Sequence, residues 1–439
     1  MRPANVSLRK FFGRAVIVAG FRATAFVLGF GVTALLGRVL GPVGYGAYAY
    51  AMSWAVVLGV FSVFGTDLLV TREVARARIQ GNVLAVTAAW KWANRVVLLA
   101  SAAASFLAIL AFAIVNSSLD PLLAQTLPVA IPFVAVFAFT RLREGMLQGL
   151  DRPMLAPLPL LLILPASLIA LVLVVHWLSL GPPGAVMAHV VAGAVALAVA
   201  TIWVRDTLPP SRSRGLEPLQ EAPRQWGSSA RIFAVTAVIM VINDQVPLLL
   251  LGTLSGAEAA GLLSVAQKVS GLVAFALIVI NIPLAPLVAK LGASGDREAL
   301  DRLLARASQV ASVSAIALAA AFIGLKGMVL SLFGQGFESA GVALTLLCLA
   351  QVFNALMGSV GVVLNMSGYE SDTARAVILS VVVNLLVGIS LIPSYGVNGA
   401  AAASAVALVT WNLYLAVLVR LRVGVNPTAF RFHRWGGHR

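Results

Sequence analysis

Three charged residues stand inside long apolar stretches of this 439-residue chain: Arg22, Asp244 and Lys268. A charge at mid-bilayer costs about 3 kcal/mol unless it faces a partner or a cavity, so each marks a structural or a functional contact. Asp244 and Lys268 are equidistant along the chain from Gly256, and a helical hairpin centred there brings them to one depth. Two readings stand for them: an ion pair joining neighbouring helices, or a direct role toward a substrate. Arg22 lies two turns past Arg14. Its side chain either snorkels to the membrane surface or presents a planar fork of donors to phosphate oxygens, a geometry lysine does not reproduce. Arg38 and Lys326 lie near the opposite ends of helices, where they read as interfacial anchors or as phosphate contacts on an exit side.

The uncharged polar residues within spans, Asn243, Gln245, Gln267, Asn354, Asn384 and Asn412, are expected to hydrogen-bond between helices. His189 reads as a packed helix contact in preference to a proton relay. Prolines 283 and 286, and prolines 157, 159 and 165, are positions where a helix kinks. Patterns that carry catalysis are missing: the sequence has no GxxxxGK[ST] phosphate loop, no HExxH, no paired cysteines and no Asp-x-Asp metal site. Cys348 is the only cysteine and sits in an apolar run, as a buried inert thiol does. No catalytic residue, metal or cofactor is expected, and the chain does not read as an enzyme.

The elements that must position these residues are helices in lipid. Hydrophobic residues make up 60% of the chain and charged residues 11%, a balance that excludes a water-soluble domain. Apolar runs of bilayer-spanning length fall near 15–36, 46–66, 93–115, 121–140, 155–177 and 184–204. A second set falls near 231–252, 259–288, 308–330, 340–364, 374–393 and 398–419. The first run is long enough to remain as helix one, unlike a cleaved signal peptide. The fold expected is all-α and polytopic, with about twelve transmembrane helices. Between the sets, Pro209-Pro210-Ser211-Arg212-Ser213-Arg214-Gly215 reads as part of a flexible polar linker.

The net charge of +15 invites a nucleic-acid partner, yet its placement argues otherwise. Arg9, Lys10 and Arg14, then Arg72, Arg76 and Arg78, then Arg141, Arg143 and Arg152 all fall at loops on one side. Lys290, Arg297, Arg302, Arg375, Arg420, Arg431 and Arg434 continue on that side, whereas the loops near 116–120, 179–184 and 394–398 hold no Lys or Arg. By the positive-inside rule the basic side, with both termini, is cytoplasmic, and the partners implied are anionic lipid headgroups. No nucleic acid is needed.

An internal repeat is visible at an offset of 215 residues. Leu35, Leu36, Gly37, Gly41, Gly46 and Ala51 match Leu250, Leu251, Gly252, Gly256, Gly261 and Ala266, and Gly184, Ala185 and Arg205 match Gly399, Ala400 and Arg420. Each copy has an even number of spans and starts inside, so the copies run parallel, related by an axis along the membrane normal. Boundaries follow: a six-helix lobe at 1–205, a linker at 206–230, a second six-helix lobe at 231–420 and a basic tail at 421–439.

The segment Leu40-Gly41-Pro42-Val43-Gly44-Tyr45-Gly46-Ala47-Tyr48-Ala49, followed by Val70-Thr71-Arg72-Glu73-Val74-Ala75-Arg76, resembles the opening of the Wzx-like polysaccharide flippases of the multidrug/oligosaccharidyl-lipid/polysaccharide exporter superfamily. Ser255-Gly256-Ala257-Glu258-Ala259-Ala260-Gly261 is similar to the seventh-to-eighth helix junction there, and Gln148-Gly149-Leu150-Asp151-Arg152-Pro153 to the break after helix four. The resemblance implies an alternating-access flippase in the cell membrane for a polyprenyl-pyrophosphate-linked oligosaccharide. It also implies a proton or sodium as coupling ion and other polysaccharide-assembly proteins as partners. Arg22, Lys268, Asp244 and Arg38 are then the candidate substrate-binding residues, with interior amides available to sugar hydroxyls. Two interior cations against one acid suit pyrophosphate; the alternative, a related drug/cation antiporter, calls for acidic or aromatic walls.

Overall fold

The computed structural model describes the backbone of residues 8–208 and 224–429, with side chains from Gly20 onward except those of Ser118 and Arg224. The 209–215 motif, Arg431, Arg434 and the side chains of Arg9, Lys10 and Arg14 lie outside the described residues. Helices are α1 (Leu8–Val63), α2 (Thr66–Ile79), α3 (Val83–Val115), α4 (Pro121–Gly149), α5 (Leu164–Trp177), α6 (Gly181–Thr207), α7 (Arg224–Val273), α8 (Phe275–Ser294), α9 (Arg297–Gly324), α10 (Lys326–Ser331), α11 (Gly341–Met357), α12 (Val360–Met366) and α13 (Glu370–Arg422). Among the described residues, ten helices are long and apolar enough to cross a membrane. The protein is all-α and multi-pass.

Ten helices make twelve crossings because three of them are doubled. α1, α7 and α13 each break at one glycine outside helical geometry: Gly41 (φ 67°, ψ 179°), Gly256 (φ 85°, ψ −178°) and Gly396 (φ 50°, ψ −124°). Beyond Gly256, the second arm of α7 runs on into α8 through Ala274, which keeps αR geometry, so these count as one crossing. A left-handed φ is open to glycine at little cost and strained for other residues, which is why single glycines turn these chains. Gly41 and Gly256 are the repeat pair already visible in the sequence, and Gly181 (φ 63°) stands at the same 215-residue offset from Gly396. The two copies turn at matched positions.

Chain contacts divide the protein into two compact units, one of Phe21–Gly261 and one of Leu262 onward together with the start of the chain up to Gly20. In the first unit the helices outrun their apolar runs. The arginine-bearing stretch after helix two is itself a helix, α2, which buries Leu69, Val70, Val74 and Ala77 beside Leu142, Met146 and Leu147 of α4. Close approach is set by small residues: a Cβ at Gly145 would overlap the Asp67 backbone, and Thr71 Oγ1 donates to Gly145 O at 2.9 Å. α4 continues past residue 140 because its cations find partners there. Arg141 pairs with Asp67 at 3.2 Å and Glu144 at 2.7 Å. Arg143 donates to Asn94 at 2.8 Å and lies 4.4 Å from the Trp90 ring centre. One face of α3 stays unburied, with Leu99, Phe106, Leu107 and Ile114 exposed, as lipid contact requires.

In the second unit, Leu284, Val288, Leu300, Leu304, Val363, Leu364, Leu415 and Val419 form a core among α8, α9, α12 and α13. α13 folds back on itself at Gly396, and its two ends are tied together: buried Asp372 accepts from Arg375 at 3.1 Å and pairs with Arg422 at 3.5 Å. The run read as one span at 340–364 is broken between α11 and α12 at Gly358 (φ 76°). Pro283 and Pro286 lie within the helical run of α8, and the proline-rich start of span five forms a π-helical turn, Pro159–Ile163.

Candidate functional site

The first unit carries three of the four residues singled out by charge. Arg22 and Arg38 project from the first arm of α1 and Asp244 from the first arm of α7, and all three side chains are exposed. Exposure of a charge on a membrane-spanning arm places it at a cavity or at the surface, the condition a ligand contact needs. Lys268, also exposed, stands on the second arm of α7 and belongs to the second unit, so the compact units divide it from Asp244. Lys326 is exposed in the second unit, with its stem within 3.5 Å of where a Gly341 Cβ would lie.

The Gly41 and Gly256 turns of the first unit lie together, held by glycines. A Cβ on Gly46 would overlap the carbonyl of Ala257, and one on Gly261 would overlap the carbonyl of Pro42. A Cβ on Gly252 would press into the Tyr50 ring, and Tyr50 O–H shares a hydrogen bond with Thr253 Oγ1 at 2.9 Å. The repeat glycines at positions 46 and 261 therefore exist for contact: each lets the backbone of one copy seat against the other. At the opposite end of this unit, Gly65 (φ 67°) packs against the backbone of Ala230, and Arg72 donates to Ser229 at 3.1 Å. An apolar hollow of about 380 Å³ lies beside Tyr50, lined by Trp54, Leu107, Phe112, Leu127 and Ile131. Its hydrocarbon wall suits lipid chains and not phosphate.

His189 is a packed contact, as expected: its Nδ1 and the Tyr48 hydroxyl oxygen share a hydrogen bond at 2.6 Å, and Phe133 meets its ring edge-on at 4.8 Å. Two of the interior amides depart from expectation. Asn412 donates to Leu408 O of its own helix, and Asn354 to Gln351 of its own helix, because a carbonyl or side chain one turn away is always in reach. The buried Oδ1 atoms of Asn384 and Asn412 have no hydrogen-bond partner. Sequence reading missed the Tyr50 and Thr253 pairing, although both side chains stand beside repeat glycines. It also missed the Arg143 site, where Trp90 on the same loop side was the available signal.

Among the described residues, ten long apolar helices, two of them turned on paired repeat glycines, define a polytopic membrane protein, and solved structures of transporters share its fold. An inward-facing multidrug-resistance MATE family transporter of the MOP superfamily matches with a TM-score of 0.76, covering 91% of this chain and 94% of that one at 13% identity. The lipid II flippase MurJ in an inward closed conformation matches with a TM-score of 0.70, covering 93% of this chain and 87% of that one at 14% identity. Residues 15–292 match the family described as Polysaccharide biosynthesis protein, and the chain belongs to that family. A probable flippase, AglR, of Haloferax volcanii is 27% identical over 175 residues, 38% of this chain and 36% of that protein. The matched stretch thus spans about a third of that relative's length.

Proposed function

We propose that this protein is a flippase for a polyprenyl-pyrophosphate-linked oligosaccharide, working by alternating access in the cell membrane with both termini cytoplasmic. The observation that carries the reading is membership of the polysaccharide biosynthesis family across residues 15–292. The exposed cation Arg22 within a membrane-spanning arm supports it, since an accessible guanidinium can make charge-assisted hydrogen bonds to the phosphates of an anionic lipid headgroup. Arg22, Arg38, Asp244 and Lys268 are proposed as contacts for the headgroup or for a coupling proton or sodium ion. The basic ends of the helices would face anionic cytoplasmic lipid. Lobes at 1–205 and 231–420 joined by a 206–230 linker are proposed as the units of the repeat, with the basic tail at 421–439. Other assembly proteins would supply the lipid-linked sugar and consume it. The alternative, a drug/cation antiporter, draws on the MATE likeness, which at 13% identity speaks to fold.

Thermal unfolding of the purified protein separates the two. A ligand at about 100 times its Kd stabilises the folded state by about 2.7 kcal/mol. A polyprenyl pyrophosphate is expected to raise the Tm and a lipophilic drug cation to leave it in place. The reverse pattern would favour the antiporter.

A further inference from the structure

The break between α11 and α12 is stoppered by a piece of chain from elsewhere. Past α13 the backbone turns at Gly424 (φ 75°), whose N–H donates to Val419 O at 3.1 Å, the glycine-capped ending of a helix. Residues 425–429 then run along one face of α9. Asn426 N–H donates to Asp301 Oδ1 at 2.8 Å, and its own Oδ1 accepts from Thr428 N at 3.2 Å and Thr428 Oγ1 at 3.0 Å. Ser308 Oγ donates to Pro427 O at 2.7 Å, and Ala429 N–H donates to Leu356 O at 2.9 Å in the last turn of α11. Val425 and Thr428 are buried, at 2% and 3% exposure.

This segment fits only a broken helix. A Cβ at Gly358 would overlap both Ser308 Oγ and the Pro427 carbonyl, so glycine is required there for contact as well as for its φ. Breaking a membrane helix frees backbone groups that lipid cannot satisfy, so each needs another partner. Ala429 supplies a donor to the Leu356 carbonyl, while on the far side of the break Ser359 Oγ donates to Asn281 Oδ1, a side-chain tie between the start of α12 and α8. With the segment withdrawn, the cheapest way to satisfy the freed groups is to join α11 and α12 into one helix.

We propose that residues 423–429 are a latch on the second unit. Seated, the latch holds α11 and α12 apart at Gly358; withdrawn, it lets them join, and the transport cycle passes through both states. The last clause rests on the transporter reading above, and the experiment keeps the two apart. In the full-length purified protein with Cys348→Ala, Thr428→Cys is labelled with a soluble maleimide, and folding is followed by gel filtration.

Slow labelling is expected in the Gly358 chain, about tenfold faster labelling with Gly358→Ala, and an intermediate rate with the milder Ser308→Ala. Hydrogen exchange at the Ser359 amide is expected to slow about tenfold in Gly358→Ala, as a joined helix protects it. Labelling at the rate of an exposed cysteine from the outset, or equal rates in both chains, would overturn the latch. Unchanged or faster exchange at Ser359 would overturn the joining of the helices. Removing residues 423–439 is expected to change saccharide transport about tenfold, whereas removing only 430–439 leaves it unaltered. Equal transport in both truncations would overturn the role in the cycle. A protein that moves no saccharide but shows the labelling and exchange pattern would refute the flippase reading and retain the latch.

Discussion

Replacing Gly46 with leucine is expected to abolish transport in a protein that still inserts and folds. Even the first added carbon falls inside the Ala257 carbonyl, where the backbone of the Gly256 turn leaves no room. Overpacking of this kind costs about 3 kcal/mol. Loaded onto the one conformation in which the two turns meet, that cost depopulates it by about a hundredfold. Gly46→Ala is expected to fall between, and Gly261→Leu to match Gly46→Leu because its Cβ meets Pro42 in the reciprocal way. Tyr50→Phe removes only the hydrogen bond to Thr253 and keeps the ring against Gly252, so most activity remains. Delivery of lipid-linked saccharide, normalised to folded protein, is the measurement. Full activity in the leucine variants would show that the turns need not meet.

The second large effect is expected at Arg22, where phosphate recognition and snorkelling diverge. A guanidinium at the headgroup of a pyrophosphate offers two parallel donors, and lysine offers a point charge. Arg22→Lys is therefore expected to lower transport about tenfold at unchanged protein level, and Arg22→Gln to lower it further. A snorkelling arginine needs only a long stem and a charge at the surface, both of which lysine supplies. Full activity in the lysine variant would remove bidentate recognition, and full activity in the glutamine variant would remove any essential charge at this position.

Much of this architecture is legible in the sequence because lipid imposes it. Apolar runs of bilayer length, and glycines recurring at a 215-residue offset, mark the crossings and the turns at Gly41 and Gly256 before any coordinates. Helix ends are less legible, since beyond the hydrocarbon region a helix persists wherever its polar residues find partners. Arg141 and Arg143 read as loop cations, but Asp67, Glu144, Asn94 and Trp90 hold them on α4. The break at Gly358 leaves no mark in hydropathy, because the run through 340–364 stays apolar and the stopper comes from residues 427 and 429. Candidate site residues were legible as charges out of place in apolar surroundings. Their partners were not, because spacing along a chain fixes depth in a membrane and leaves the facing neighbour open.

Translocation itself is the most direct test of the central claim. The purified protein is placed in vesicles whose lipid includes a fluorescent polyprenyl-pyrophosphate oligosaccharide, and a membrane-impermeant quencher reads which leaflet holds the saccharide. The account predicts that quenching becomes complete in vesicles holding the native chain and stays partial in protein-free vesicles and in those holding Gly46→Leu. Saccharide that remains in its original leaflet with the native protein, while a drug cation is moved across the same vesicles, would contradict it.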